Sequence, residues 1–393
     1  MDADVIVIGA GLAGLQCARH LTRAGLTVRV LEASDAVGGR VRTDLVDGFR
    51  CDRGFQVLNP AYPAVKEDVD IRALRMRSLG RGVAVRQEDG LTVLADPTRH
   101  PSFALATLRG PYARSGELRE LAAWAVPALG PVKRLLAAPD SSLARSLDTA
   151  GLDGPLRTLL ERFITGVVLE DEGSTSAAFV RLLVRSFAFG APGVPEEGMG
   201  ALPAQLATTL ARPVELGRRV TSVSPAGGGW AVEADDGALL TAPAAVVAAD
   251  PVSAAHLTDE PAPAMKGCVT WWFAADEPPT DLPFLFLDAT RAGPVVNTAV
   301  MSNAAPSYAP AGRHLVQATT LLPAASAGPS ATAVPATQPS RVTQPTEAEV
   351  RAHLSAIYGH DTAGWEVVTV HRVERALPVQ APPLQVRQSV HLG

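Results

Sequence analysis

The sequence predicts an α/β protein: a dinucleotide-type sheet domain assembled from two separated stretches of chain, joined to a discontinuous α+β second domain. Three observations carry this. A strand, glycine turn, helix and second strand open the chain over residues 4–40, a mainly helical stretch interrupts the sheet pattern over residues 90–190, and the final third is rich in strands.

Val5, Ile6, Val7 and Ile8 form a short apolar run that fits a buried parallel strand, and Gly9, Gly11 and Gly14 follow at GxGxxG spacing. Gly9 permits the tight turn, Gly11 lets a phosphate approach the backbone, and Gly14 lets the next helix pack closely on the sheet. That helix opens with Leu12 and Ala13 and aims free N–H groups and its positive dipole end at a pyrophosphate. Leu15, Ala18 and Leu21 recur at helical spacing, and Gly25 stands where a left-handed C-terminal cap is needed. Thr27 to Leu31 reads as the second strand. Glu32 closes it, roughly 20 residues past the glycines, where a carboxylate can accept hydrogen bonds from both hydroxyls of an adenosine ribose and disfavours a 2′-phosphate.

Gly38, Gly39 and Arg40 then follow the acid, and nothing in a plain NAD site needs a second glycine pair and an arginine there. A flexible turn with a fixed cation suits a longer dinucleotide whose pyrophosphate takes a second clamp. Over Glu32 through Arg40 the chain resembles the FAD-dependent amine oxidase and phytoene desaturase superfamily (protoporphyrinogen oxidase-like), whose members carry ExxxxxGGR after the dinucleotide fold. The resemblance extends over nearly the whole chain. It implies a Rossmann-type FAD-binding domain, FAD as the cofactor and a hydride-removing activity; spacing alone shows only a dinucleotide.

Composition bounds the remaining possibilities. The 393 residues suffice for two domains with sizeable cores, and 47% hydrophobic with 19% charged residues is ordinary for a globular protein. A net charge of -5 leaves no electrostatic footprint for nucleic acid. Cys17, Cys51 and Cys268 are far apart and odd in number, so no disulfide framework or CxxC site is expected. No HExxH pair and no GxSxG elbow occurs, and no metal site is expected. The opening MDAD lacks the features of a signal peptide and no apolar run reaches the span of a bilayer, so a reducing cytoplasm is the expected compartment.

In chain order, Phe49, Cys51 and Phe55 alternate with polar residues like a strand, and Gly54 follows. Two readings of Gly54 stand: a hairpin glycine, or a place where the backbone approaches something flat. Superfamily members place a D-x-G segment beside the isoalloxazine ring, matched here by Asp52, Gly54, Phe55 and Gln56. Tyr62 and Pro63 begin a surface helix or turn. Within residues 90–190, Asp153 and Pro155 start a helix through Leu156, Leu159, Leu160, Phe163 and Ile164, and Ser174 caps a second helix that Gly190 stops. Residues 118–138, apolar around Trp124 and broken by Pro127 and Pro131, read as packed helices of this insertion or as a lip touching lipid or a greasy substrate. Membrane contact is the less favoured of these.

The segment GMGALPAQLATTL, residues 198–210, reads as a glycine turn and helix. Val214–Leu216 and Val220–Val223 follow as short strands, then a hairpin with an Asp236-Gly237 turn. The resemblance assigns the Val220 backbone to adenine. Ala245–Ala249 is an apolar strand ended by Asp250 and Pro251, and ligands sit at the carboxyl ends of such strands. Strands are then expected at 268–273, 284–287, 295–301, 314–321 and 366–373, with a Pro/Ala/Ser/Thr-rich flexible loop over 322–345 and a Thr346/Glu349 capping box opening a helix. Trp271 and Trp272 point to opposite faces of their strand. The expected domains are 1–85 plus 191–262 for the dinucleotide and 86–190 plus 263–380 for a small or hydrophobic substrate.

Candidates for chemistry are few, as suits a cofactor that carries the hydride itself. Lys266 precedes a strand where the superfamily's amine oxidases carry a lysine that holds a water near flavin N5; it is either that group or a solvated lysine. Superfamily members also end in a glycine-aspartate segment and helix that close over the cofactor. This chain has the preceding Ala376 to Pro378 and reaches Gly393 without that motif. Either the sequence is a fragment or the site is incomplete, and the expectation is that this chain alone holds FAD weakly. Two rivals remain: a non-catalytic carrier on the same scaffold, like the GDP-dissociation inhibitors, and an NAD-dependent dehydrogenase.

Overall fold

The structure is a computed structural model; it describes residues 1–325 and 344–385, apart from positions 97, 99, 105, 106, 108, 109, 111 and 113–115. Strand β1 (Val5–Ile8) is buried along its length and leads through the glycine turn into α1 (Leu12–Arg23), whose Leu15 and Ala18 pack on it. Gly25, with φ of +87°, ends α1 and β2 (Val28–Leu31) follows. A hairpin of β3 (Thr43–Val46) and β4 (Phe49–Asp52) turns at Asp47 and Gly48, both at positive φ. The short α2 (Pro63–Asp68) is exposed on its outer side.

A second hairpin, β5 (Gly82–Gln87) and β6 (Gly90–Ala95), comes next. The helical insertion comprises α3 (Leu118–Leu129), α4 (Val132–Ala137), α5 (Leu143–Thr149), α6 (Pro155–Val168) and α7 (Ala177–Phe189). The chain returns through α8 (Ala201–Ala207), β7 (Val220–Ala226), β8 (Gly229–Ala234), β9 (Leu239–Ala242), β10 (Ala244–Val247) and α9 (Pro251–Thr258). It ends with β11 (Met265–Ala275), β12 (Leu285–Asp288), β13 (Val295–Val300), β14 (His314–Ala325), α10 (Glu347–Tyr358) and β15 (Glu366–Pro378).

Besides two two-stranded ribbons, three larger sheets form among the described residues. A parallel sheet has the order β10-β1-β2, extended at Leu31 by a parallel bridge to Glu215. An antiparallel sheet, β9-β8-β7, packs beside it, with Val232 and Leu240 meeting Ile6 and Ile8. The large sheet has the order β15-β11-β14-β13-β12-β5-β6, antiparallel except where β12 pairs with β5. Its strand β11 is buried at every residue. Trp271 and Phe273 point to α10, whereas Trp272 and Ala274 point to Phe49, Cys51, Met199 and Leu202, which belong to β4 and the segment around α8.

Several expectations are corrected. The boundary expected between residues 85 and 86 falls inside β5, which pairs with β12, so the chain leaves the first half before Gly82. Residues 90–95 are strand, because β6 pairs antiparallel with β5 as the edge of the large sheet. Val214–Leu216 contributes only the bridge at Glu215. Leu322 to Ala325 continue β14 rather than opening a loop, and residues 326–343 of the expected flexible loop lie outside the described residues. Helix α7 is capped by Ser176, whose hydroxyl accepts from the Phe179 N–H; Ser174 instead donates to Glu170. Over residues 118–138 the packed-helix reading holds: Trp124, Ala128 and Leu135 are buried, while Val126 and Leu129 face out. Among the described residues no helix is long and apolar enough to cross a membrane.

The start of α6 shows what local sequence could not. Neither Asp153 nor the cap residue Gly154 satisfies its free N–H groups. Glu117, buried and distant in sequence, accepts from the N–H groups of Asp153 at 3.1 Å, Gly154 at 2.6 Å and Leu156 at 2.9 Å. A carboxylate on a helix N-terminus gains from both the orphan donors and the dipole. Glu117→Ala leaves three N–H groups without their acceptor and is expected to cost roughly 1–3 kcal/mol in urea unfolding. A loss under about 0.5 kcal/mol would mean that water serves those groups equally well.

Candidate dinucleotide and substrate site

The glycines at the end of β1 are required by close contacts. At Gly9, φ is +103° and an added Cβ would lie 2.7 Å from the Ala248 carbonyl oxygen; at Gly14 it would lie 1.9 Å from the Gly9 oxygen. Gly11 differs: a Cβ there meets nothing within 4 Å, so the space before the helix mouth is open. No side chain caps α1, leaving the N–H groups around Leu12, Ala13 and Gly14 aimed into that opening.

Three segments meet at the backbone of Ala10. Its N–H donates to Glu32 Oε2 at 2.7 Å, and its carbonyl accepts from the Gly38 N–H at 2.8 Å. Glu32 Oε1 accepts from the Ser34 N–H and hydroxyl, which locks the carboxylate at the crevice rather than in solvent. Gly39, at φ of +58°, lies against Gly11. Arg40 donates through Nη1 to the Ala376 carbonyl at the end of β15. The Val220 end of β7 follows a stretch in which the Arg218 N–H donates to the Glu32 carbonyl. These groups fit an adenine dinucleotide: open space, free donors, a fixed acid and a guanidinium on one rim.

Gly54 is not the hairpin glycine, since Asp47 and Gly48 make that turn; it has φ of +97°, and an added Cβ would approach only Gln56 and Val373, at 3.8 and 4.0 Å. Gln56 Nε2 donates to the Arg40 carbonyl at 2.8 Å, tying this segment to the Gly38–Arg40 turn, and Phe55 packs on the core below. Lys266 is not a solvated lysine. It is 4% exposed, its Nζ donates to Thr175 Oγ1 at 3.2 Å before α7, and burial pushes its pKa down.

Sequence reasoning missed a network under this site. Asp52, at the end of β4, is fully buried. It accepts from Thr43 Oγ1, the Met199 N–H and the Tyr308 hydroxyl. Burial nevertheless raises its pKa to about 6, the three hydrogen bonds opposing. Tyr308 stands well above its ordinary value through burial and this carboxyl. His371 of β15 sets Nδ1 on the Asp52 carbonyl at 3.1 Å and Nε2 on Asp44 at 3.0 Å, where Arg53 also binds. The GM pair and the D-x-G segment were visible as motifs, but Tyr308 and His371 lie over 250 residues from Asp52, and no local pattern marks them. Asp250, read as a strand end, is the N-cap of α9. Among the described residues no cluster of histidines, cysteines and acids could hold a metal.

Residues 12–374 match the family described as flavin containing amine oxidoreductase. The chain belongs to that family. The resemblance read from Glu32 to Arg40, and the flavin it implies, stand with this result. A putrescine oxidase of Kocuria rosea is 41% identical over 102 residues, which is 25% of this chain and 20% of that protein. A probable polyamine oxidase of Arabidopsis thaliana is 43% identical over 72 residues, 17% of this chain and 14% of that protein. The chain's match thus spans about a fifth or less of these relatives' length. Among solved structures, an oxidoreductase from Methanosarcina mazei aligns at a TM-score of 0.69 and 20% identity, over 96% of this chain and 89% of that one. A protein described as a putative protoporphyrinogen oxidase from Exiguobacterium aligns at 0.69 and 18%, over 96% and 87%. These structural likenesses bear out the expected α/β fold class.

The pH dependence of this flavin-family protein follows from Asp52. Its folded pKa of about 6 exceeds the unfolded 3.8, so its contribution to stability is fully present below 3.8 and is lost as the pH rises through about 6. Between about pH 4 and about pH 7 the protein should lose on the order of 3 kcal/mol that Asp52→Asn does not lose. Parallel slopes for the two proteins in denaturant titrations across that range would refute this.

Proposed function

We propose that this chain is an FAD-dependent oxidoreductase that removes hydride from a C–N or C–C bond of a small or hydrophobic substrate in the cytoplasm, with oxygen or another acceptor reoxidising the cofactor. The observation that carries the reading is the junction at Ala10, where Glu32 and the Gly38–Arg40 turn converge on the open mouth of α1. Bound FAD supplies the hydride acceptor; the protein's part is binding, orientation and electrostatics. In this reading Gly9, Gly11 and Gly14, with the N–H groups of Leu12 and Ala13, hold the pyrophosphate, Glu32 the ribose, and Gly38, Gly39 and Arg40 the second phosphate. Gly54, Phe55 and Gln56 back the ring, and the Val220 main chain borders adenine.

Lys266, at the start of β11 and held by Thr175 with a depressed pKa, is the group for proton or oxygen chemistry. The corresponding domains are residues 1–81 plus 191–262 for the cofactor and 82–190 plus 263–380 for the substrate. A carrier has no need of a pyrophosphate clamp, and a plain NAD enzyme leaves Arg40 without a task.

The test uses Gly11, whose extended backbone (φ -69°, ψ 177°) accepts any residue and whose front is open. Gly11→Val should leave the melting temperature within a few degrees, yet weaken FAD binding by at least about 100-fold, since the side chain fills the phosphate's place. Added FAD should give the parent protein flavin absorbance that bleaches anaerobically with amines or polyenes. A parent that prefers NAD, or stays colourless and binds lipid, would replace this reading with one of its rivals.

A further inference from the structure

Two histidines packed against carboxylates differ in the kind of partner they meet. His353 of α10 accepts the Val295 N–H at Nδ1 over 3.0 Å, so its ring proton sits on Nε2, turned to Asp288 at 2.9 Å. His371 of β15 faces an acceptor on each side. Its Nδ1 lies 3.1 Å from the Asp52 carbonyl and its Nε2 lies 3.0 Å from the Asp44 carboxylate. Asp44 is ionised: the Arg53 guanidinium donates to it at 2.8 and 2.9 Å and holds its carboxyl below the usual range against partial burial. A neutral imidazole would set a lone pair against one of these two oxygens. The contacts of His371 are therefore those of an imidazolium, with a proton on each nitrogen.

The ring stands where the large sheet meets the β3–β4 hairpin. β15 is the edge of that sheet and pairs on one side with β11. Toward the hairpin it offers His371, then Val373, which lies 4.0 Å from where a Gly54 Cβ would be, then the Ala376 carbonyl that accepts from Arg40. The carbonyl that His371 holds belongs to Asp52, two residues before Gly54. The next carbonyl, of Arg53, accepts from Gln56 Nε2 at 3.1 Å, and the same amide donates to the Arg40 carbonyl. One imidazolium thus secures the start of a segment whose end is tied to the Gly38–Arg40 turn.

We propose that His371 is a positioning residue: its imidazolium latches β15 to the β3–β4 hairpin, which holds the Gly54–Gln56 segment in place for FAD, and the latch opens when the ring gives up a proton. The proposal rests on the FAD reading above. A ring with one proton keeps one contact and turns a lone pair to the other oxygen, so the grip on the cofactor is firm at low pH and weakens as the pH rises. Among the groups around the ring, Arg53 stays charged and Asp44 stays ionised, while burial pushes the Cys51 thiol up to about 12 and Tyr308 well above its ordinary value. On β15 itself Arg372 pairs with Glu374, and β11 places the uncharged Thr270 opposite. Asp52, raised to about 6 by burial, is the neighbour that titrates in the same range, so the test must separate the two.

The experiment titrates the full chain with FAD by calorimetry from about pH 6 to about pH 8.5, where imidazole changes charge. His371→Gln is the comparison, and both proteins are repeated in the Asp52→Asn background. In both backgrounds the parent should bind FAD at least about fivefold more weakly at the alkaline end, as a charge-assisted contact is lost, whereas His371→Gln should change by less than about twofold. Nitrogen-15 spectra of the histidine-labelled parent, read without cofactor, should show both His371 nitrogens protonated at the acid end and His353 with one proton throughout. Parallel affinity profiles for the parent and His371→Gln, or a His371 ring with a single proton at the acid end, overturn the latch. If FAD binds at no pH, yet His371 carries both protons and the parent's melting advantage over His371→Gln fades as the pH rises, the latch stands and the oxidoreductase reading falls.

Discussion

The backbone of Ala10 is the point on which the site depends. Its N–H and carbonyl are both turned outward from the β1 turn, and they are met by Glu32 and Gly38 from two other segments. The two peptide planes that meet at the Ala10 Cα thereby hold the acid, the glycine pair and the helix mouth beside one another. Gly9 and Gly14 make this possible because no side chain fits between the turn, the helix and the β10 end. The geometry is thus enforced by sterics on one side and by hydrogen bonds on the other.

Around that junction the two halves are joined by polar contacts as well as by packing. Trp272 and Ala274 bury themselves against Phe49, Cys51 and Leu202, which supplies the apolar drive. Asp52, Tyr308 and His371 then set the register between the halves, because a buried carboxyl stays in place only where its donors are. The tail of β15, held by Arg40 through Ala376, runs along the crevice rim, so the large sheet and the Gly38–Arg40 turn share a boundary. Lys266 lies in the interior beyond that boundary, held by Thr175.

Much of this was legible from residues alone, and the reason differs by element. The opening β1-α1-β2 unit was readable because every signal in it is local: an apolar run, glycines at set spacing, an acid closing the next strand. The capping box at Thr346 and Glu349 is local in the same way and is present, with both reciprocal bonds. The β5-β6 hairpin escaped notice because its burial comes from β12, some two hundred residues later, and its own alternation is faint. Ser174 and Ser176 are equally good caps on paper; the one used is the one whose neighbour, Asp140, organises the turn.

By itself the sequence determined the opening β1-α1-β2 unit and the alternation that sends Trp271 and Trp272 to opposite faces, since each follows from spacing along one strand or helix, and the family through the resemblance carried by Glu32 to Arg40. Only the tertiary structure decided that Lys266 is buried on Thr175, that Glu117 caps a distant helix, and that Asp52 is shared with Tyr308 and His371. Those facts concern groups far apart in the chain, whose desolvation and hydrogen bonding exist only after the segments have met, and no periodicity in sequence encodes which buried donor an acceptor will find.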